Sequence, residues 1–539
     1  MIARTLAALL LLTAPASAQD ARNYAGPVTP RDQRVEQSLK IRGSFTVVAV
    51  GDMIQMTPFA HSKDPGIAAL VSLMRSADLT LANNENFIVD FGSYRGPVGH
   101  QRSPAIIADD WASMGIDMVT KANNHTWDGG EAGLWANFRE LDRVGIGHAG
   151  ADYNATEARL TRSVYSPKGS AGLIGVYARS ESTSRMSGIA TGDPVYVDAA
   201  QLERLRAMRD AIIARRGETA NPIELPKNEA DEVTVFGTSF RLRGADIGQH
   251  PFAANQQRRE RERGEISSKT NDLNLITYNG VTADQMAQLR AIAGDKDTGN
   301  TLAAFGTRFR IMPGIGEYDY EMEPQSLRNI LREVRTGKQF NDFLAVTAHW
   351  HQNRFAFQRY SDDHYPPAFQ IAFAHAAVDQ GADLFFAHGM HTLKGVEIYK
   401  GKPIFYGLSN FVFQSQMLRT WADHGDQPAA PLDGPIVGEG ETNAAFWSRL
   451  QQPDNLVSLL TQSRYENGAL VEVRLYPVEL GPIDRPGSQF GTPRRASPAA
   501  ARHILEQVIE YSRPFGTPIR IANGVGIIRV TARTDRPVG

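Results

Sequence analysis

The stretch FTVVAVGDM, residues 45–53, decides the fold. Phe45 to Val50 is a short, apolar, largely β-branched run that stops at Gly51-Asp52, so it reads as a buried strand with an acid at its carboxyl end. The layout recurs along the chain. Leu79–Ala82 (LTLA) delivers Asn83-Asn84-Glu85, and Met118–Lys121 (MVTK) delivers Ala122-Asn123-Asn124-His125. Phe343–Ala348 (FLAVTA) ends in His349-Trp350-His351, and Leu384–Ala387 (LFFA) ends in His388-Gly389-Met390-His391. Leu173–Tyr177 (LIGVY) is a further strand of the same kind, and helical spacing appears between strands, as in Leu134, Phe138, Leu141 and Val144 before Gly145. Alternating strands and helices define an α/β core.

Outward from this core the pattern changes. Leu202, Leu205, Met208 and Ile212 share one helical face, Thr282-x-x-Gln285 has the form of a capping box, and Leu327, Ile330, Leu331 and Val334 make a third helix. These predict a largely helical insertion over 183–340 that flanks the site, with the core in two pieces, 44–182 and 341–530. Within that insertion the mixed-sign run 256–265 (QQRRERERGE) reads as a solvated segment. In the second core piece a helix is expected from Pro366. Val396–Tyr399 and Pro403–Tyr406 flank Lys400-Gly401-Lys402 as a hairpin, Ala469–Pro477 is a strand, Ser497-Pro498 opens a helix, and 519–530 holds closing strands.

At the other end, Arg4 precedes the apolar run Leu6–Thr13, and Ala16-Ser17-Ala18 follows, the layout of a secretory signal peptide over residues 1–18. The run is too short to span a bilayer, which wants about 20 apolar residues. A polar leader, 19–43, carries the Gly26-Pro27 and Thr29-Pro30 breakers. The expectation is an exported protein, periplasmic or secreted, with no transmembrane segment in its mature chain. Composition narrows the chemistry. There is no Cys among 539 residues, which removes disulfides, thiol catalysis and Cys-based metal sites. With 57 Lys+Arg against 59 Asp+Glu the chain has no polybasic footprint, so no nucleic-acid partner is expected.

The polar residues at the strand ends carry the chemistry. Asp52, Glu85, Asn124, His125, His349, His388 and His391 follow apolar runs, and carboxyl ends of strands in an open α/β sheet converge on one crevice. Carboxylates, a carboxamide oxygen and imidazoles form a mixed O/N set that suits Mn, Fe or Zn, whereas Mg²⁺ or Ca²⁺ would want nearly all oxygen. The count exceeds the needs of a single tetrahedral ion, so one or two divalent ions are expected, with two favoured. His351 adjoins this set, as do His100 and His364 in neighbouring loops.

Together, GDM (51–53), NNE (83–85), ANNHTWDGG (122–130), His349-Trp350 and HGMHTLKGVEIYKGKPIFYGLSNFVF (388–413) resemble the CapA-type poly-γ-glutamate capsule-biosynthesis proteins of the calcineurin-like metallophosphoesterase superfamily. The resemblance implies a four-layer αββα sandwich with a dinuclear metal site between its sheets. It also implies roles: Asp52 a terminal ligand, Glu85 the bridge, Asn124, His349, His388 and His391 further ligands, His125 the catalytic acid and Asp128 its orienting partner. Ile54 stands where the superfamily has a histidine ligand, Asn84 replaces the usual leucine, and Gln352 and Asn353 stand where a carboxylate often follows the His-Trp pair.

The function implied is metal-dependent hydrolysis of a phosphoester or a γ-glutamyl amide in capsule or envelope-polymer metabolism. An anionic polymer or a small molecule would be the substrate and a polymer-synthesis complex of the envelope a partner. The alternative is an accessory protein that binds polymer without turnover. A net charge of −2 leaves recognition of a polyanion to local groups.

Overall fold

The computed structural model describes residues 38–97, 101–180, 194–217, 220, 230–244, 269–358, 362–414, 456–481 and 490–530. The expected signal peptide, the leader as far as residue 37, His100 and the run 256–265 lie outside the described residues.

Two ten-stranded mixed sheets hold the site. In the first, Ser44–Ile54 lies parallel to Leu79–Asn84, which is followed by Met118–Thr120 and Gly147–Ala149, all parallel. On its other side Ser44–Ile54 pairs antiparallel with Val457–Glu466, and Ala469–Glu479, Val525–Arg529 and Arg520–Ala522 continue outward. The second sheet has Phe343–His349 at its centre, parallel to both Gly169–Ser180 and Leu384–His388. The expected hairpin closes one side of it as Val396–Tyr399 and Lys402–Phe405, with Lys400 and Gly401 both at positive φ (49° and 75°), the conformation a two-residue turn between right-twisted strands requires.

Period-two alternation sorts side chains between layers. Val47 and Ala49 enter the same apolar cluster as Phe343, Ala345, Leu384 and Phe386 of the other sheet, so this cluster joins the two sheets. Their neighbours Val48 and Val50 turn the opposite way, towards Leu70, Met74, Trp111 and Phe138 on the helices Pro65–Arg75, Ile106–Met114 and Gly130–Val144. On the second sheet Leu344, Val346, Phe385 and Ala387 pack with Ile330, Val334, Phe369 and Phe373 of Pro324–Phe340 and Ala368–Asp379. Runs that looked uniformly apolar are therefore strands covered on both faces.

Several local expectations hold at residue level. Gly145 ends its helix in the left-handed conformation (φ 79°), Thr282 and Gln285 form a reciprocal capping box, and Ser497-Pro498 starts the helix Pro498–Ser512. The helix expected from Pro366 begins at Ala368.

The largely helical character expected for 183–340 is corrected. Its described residues hold three helices and seven strands, and four of those strands, Asp272–Val281, Thr301–Ala304, Thr307–Ile311 and Tyr318–Met322, belong to the second sheet. Pro324–Phe340 covers that same sheet. The physical reason lies in the strand DLNLITYNGV, 272–281, which interleaves polar and apolar residues and has no continuous apolar run. It is held by pairing on both sides, antiparallel to Tyr318–Met322 and parallel to Gly169–Ser180.

A buried ion cluster fastens the second sheet. The Asp383 carboxylate accepts from Lys338 Nζ at 2.7 Å, Lys402 Nζ at 2.5 Å and the Leu344 amide at 3.0 Å. Burial would push this carboxyl up, but the charges and hydrogen bonds of the two lysines hold it below the ordinary value. Asp383→Ala leaves Lys338 buried without its counter-charge and is expected to cost about 3–5 kcal/mol in urea unfolding. In the parent protein this contribution is present above the unfolded-state carboxyl pKa and is lost as pH falls through the depressed folded value; the variant's acid unfolding lacks that loss.

Candidate metal centre

The strand ends of both sheets meet at Asp52. A register shift between Ala49 and Asp52 on the first strand, beside Leu79–Asn84, turns this carboxylate towards the second sheet. Gly51 makes the approach possible: a Cβ there would lie 1.8 Å from the Ser409 carbonyl, and the Asp52 amide donates to that same carbonyl at 3.1 Å. Gly389 performs the reciprocal task with φ 99°. Its amide donates to Asp52 Oδ2 at 3.0 Å, and a Cβ would sit 2.8 Å from His349 Nε2.

Around Asp52 the imidazoles close in. His388 Nδ1 is 3.1 Å from Oδ1, His349 Nδ1 3.9 Å from Oδ1 and His391 Nδ1 3.7 Å from Oδ2. His349 and His388 Nδ1 atoms are 2.9 Å apart, and Thr347 Oγ1 lies 3.0 Å from His388 Nε2. Asn83 donates to Asp52 Oδ1 at 2.7 Å, and Asn410 Oδ1 holds His391 Nδ1 at 2.6 Å. Burial favours a neutral Asp52, yet the hydrogen bond and charge of His388, the charge of His391 and the bond from Asn83 bring its carboxyl down to about 2. Burial pushes His349 and His391 below the ordinary imidazole value, which favours the neutral rings a metal ion requires of its ligands.

Among the described residues two groups could hold a metal ion: Asp52, His349 and His388, and Asp52, Glu85 and His391, with ligand atoms in each group within 4.8 Å of one another. Asp52 is common to both groups, and Glu85 belongs to one. The donor chemistry fits a cation. Both Glu85 oxygens and His349 Nε2 are buried with no hydrogen-bond partner, an arrangement that is costly without a ligand. Burial, followed by the neighbouring Asp52 charge, raises the Glu85 carboxyl well above its ordinary value, and a divalent ion would reverse that balance.

His125 faces this group. Its Nε2 is 3.8 Å from Glu85 Oε1, and its Nδ1 lies 2.7 Å from Asp128 Oδ2, which fixes the ring. Asn124 is exposed, whereas the preceding Asn123 is buried and donates to Asn83 Oδ1 at 3.0 Å and to the Asn84 carbonyl at 2.8 Å. His351 is half-buried, with its ring 4.8 Å from that of His349 and 6.3 Å from that of His391. His364 stacks on Tyr511 at 4.4 Å and belongs to neither triad. Gln352 and Asn353 are taken up by backbone carbonyls: Gln352 donates to Ala178, and Asn353 donates to Phe355 and Gln358.

Sequence reasoning missed the supporting roles of Asn83, Asn123, Asn410 and Gly389. Asn83 and Asn123 stood inside the quoted clusters, but only pairing of the strands reveals that they bond to each other. It also missed Lys121, fully buried at the end of MVTK, whose amine burial pushes down to about 7 against the pull of Asp128 and Glu85.

Fold and site define an α/β protein of two mixed sheets with a buried carboxylate–histidine cluster able to hold metal. Residues 46–415 match the family described as bacterial capsule synthesis protein PGA_cap, and the chain belongs to that family. The uncharacterized protein y4sH of Sinorhizobium fredii is 30% identical over 90% of this chain and 93% of its own. The PGA biosynthesis protein CapA of Bacillus subtilis is 37% identical over 16% of this chain and 21% of its own, and the capsule biosynthesis protein CapA of Bacillus anthracis is 35% identical over 18% and 22%. Among the described residues no helix is long and apolar enough to cross a membrane.

Proposed function

We propose that this protein is an exported metal-dependent hydrolase of capsule or envelope-polymer metabolism, acting on a phosphoester or a γ-glutamyl amide. The observation that carries the reading is the pair of triads sharing the buried Asp52, with both Glu85 oxygens unpaired and His125 directed at them. The apolar cluster between the sheets and the helices on their outer faces support an αββα metallophosphoesterase-like sandwich. Asp52, Glu85, His349, His388 and His391 would hold one or two Mn, Fe or Zn ions, with Asn124 joining from the exposed turn.

Such an ion supplies Lewis acidity and lowers the pKa of water from about 15.7 towards about 7. The chain's own residues do the rest. His125 presents Nε2 to the leaving group and gives it a proton, while Asp128 accepts from Nδ1 and keeps the ring in that orientation. Asn83 and the Gly389 amide hold the Asp52 carboxylate in one rotamer. The substrate is an anionic polymer or a fragment of one.

A second reading is favoured by one relative, a probable polyglutamine synthesis accessory protein of Mycobacterium tuberculosis, 32% identical over 16% of this chain. In it the same site binds polymer without turnover, within an envelope polymer-synthesis complex. Metal analysis of the purified protein, followed by a screen of γ-glutamyl, phosphodiester and phosphomonoester substrates, separates the readings. Stoichiometric metal with turnover supports hydrolysis; metal without turnover on any of them supports the accessory role; absence of metal sinks both the site and the mechanism.

Metal uptake is expected to release protons. Glu85 holds its proton above the ordinary carboxylate range, and a cation displaces it, so affinity rises with pH through that interval. Adding Mn²⁺ to weakly buffered protein should acidify the solution, and Glu85→Gln should reduce the release.

A further inference from the structure

Lys121 is a buried cation that the metal reading leaves without a task. It follows Met118–Thr120, is fully shielded from solvent, and its Nζ donates to three backbone carbonyls: Asn84 at 3.2 Å, His125 at 3.3 Å, and Asn86. An ammonium has three N–H donors, and here each has an acceptor. That arrangement offsets much of the cost of burying the charge.

The choice of carbonyls is informative. Asn84 and Asn86 are the residues on either side of Glu85, and the third carbonyl belongs to His125 itself. One ammonium thus ties the backbone on both sides of the unpaired carboxylate to the turn that carries the imidazole facing it. Asn123 reinforces the tie by donating to the Asn84 carbonyl at 2.8 Å while its Oδ1 accepts from the His125 amide at 3.0 Å. The two segments follow different, neighbouring strands of the first sheet, Leu79–Asn84 and Met118–Thr120.

We propose that Lys121 is a positioning residue that fixes Glu85 and His125 relative to each other, so that the Asp52/Glu85/His391 group forms as a metal site under His125. The inference rests on the metal reading above. It predicts a division of effects: the group made of Asp52, His349 and His388 lies at strand ends Lys121 does not touch, and it should load normally without the ammonium.

The test uses the full-length protein after export, Lys121→Met, which removes the donors, and Lys121→Gln, which keeps an amide donor but no charge. Each is freed of metal, titrated with Mn²⁺ by calorimetry, desalted and assayed for bound manganese; the melting temperature of each metal-free protein is recorded separately. The expected result is two sites in the parent protein, with one unchanged and the other at least tenfold weaker in both variants. Equal loading and affinity in parent and variants, with only the melting temperature lowered, would make Lys121 a residue of the core and overturn the inference alone. Failure of both variants to fold has the same meaning. A parent protein that takes up no Mn²⁺ overturns the metal reading and this inference with it.

Discussion

Asp52→Asn is expected to empty both metal positions at once and to lower hydrolysis to the level of the metal-free protein, a loss of at least about 10³-fold given the several kcal/mol a Lewis acid contributes. The reason is geometric. Asp52 is the only residue common to the two groups, and its two oxygens are directed to different histidines, Oδ1 to His388 and Oδ2 to His391. Asparagine has the same shape and leaves the surrounding chain in place, yet it removes the charge and gives one oxygen position to an NH₂ that repels the Gly389 amide. Glu85→Gln provides the contrast, since Glu85 belongs to one group only. Manganese content by elemental analysis and turnover measured on the same preparations give the answer. An Asp52→Asn protein that binds metal as tightly as its parent removes Asp52 from the shared position.

The second large effect is expected at His125. His125→Ala should lower kcat by about 10²–10⁴-fold while leaving metal content intact, because its imidazole faces the cluster without belonging to either metal group. The deficit should depend on the leaving group. An ester whose alcohol leaves readily as an anion needs no proton, so the variant should approach its parent there and fall furthest behind on alkyl esters and amides. Asp128→Asn should cost less, because it frees the ring that Asp128 holds at 2.7 Å without removing it. Comparable kcat across all leaving groups for His125→Ala would assign the proton to another donor.

How much of this was legible beforehand varies by element. Strands buried on both faces announce themselves by composition, so FTVVAV, FLAVTA and LFFA could be placed before any coordinates, and the residues after them named. Asp272–Val281 could not. Its alternation belongs to a strand paired on both sides, but its polar residues break the continuous apolar run by which the other strands are recognised. The site divides in the same way. Ligand types are properties of residues and can be read one at a time; hydrogen-bond partners are properties of pairs far apart in sequence. Asn83 and Asn123, 40 residues apart, bond only because their strands lie side by side.

The sequence by itself determined the inventory: oxygen and imidazole donors, no thiols, and five strand ends to carry them. Only the tertiary structure decided which carboxylate lies within reach of both histidine groups. Asp52 lies there because Gly51 lets its strand close on the Ser409 carbonyl and Gly389 places an amide against Oδ2, and neither approach leaves room for a Cβ. The structure likewise decided the fate of Lys121. A lysine at a strand end reads as a solvated charge until the carbonyls on either side of Glu85, brought from another strand, are found around it.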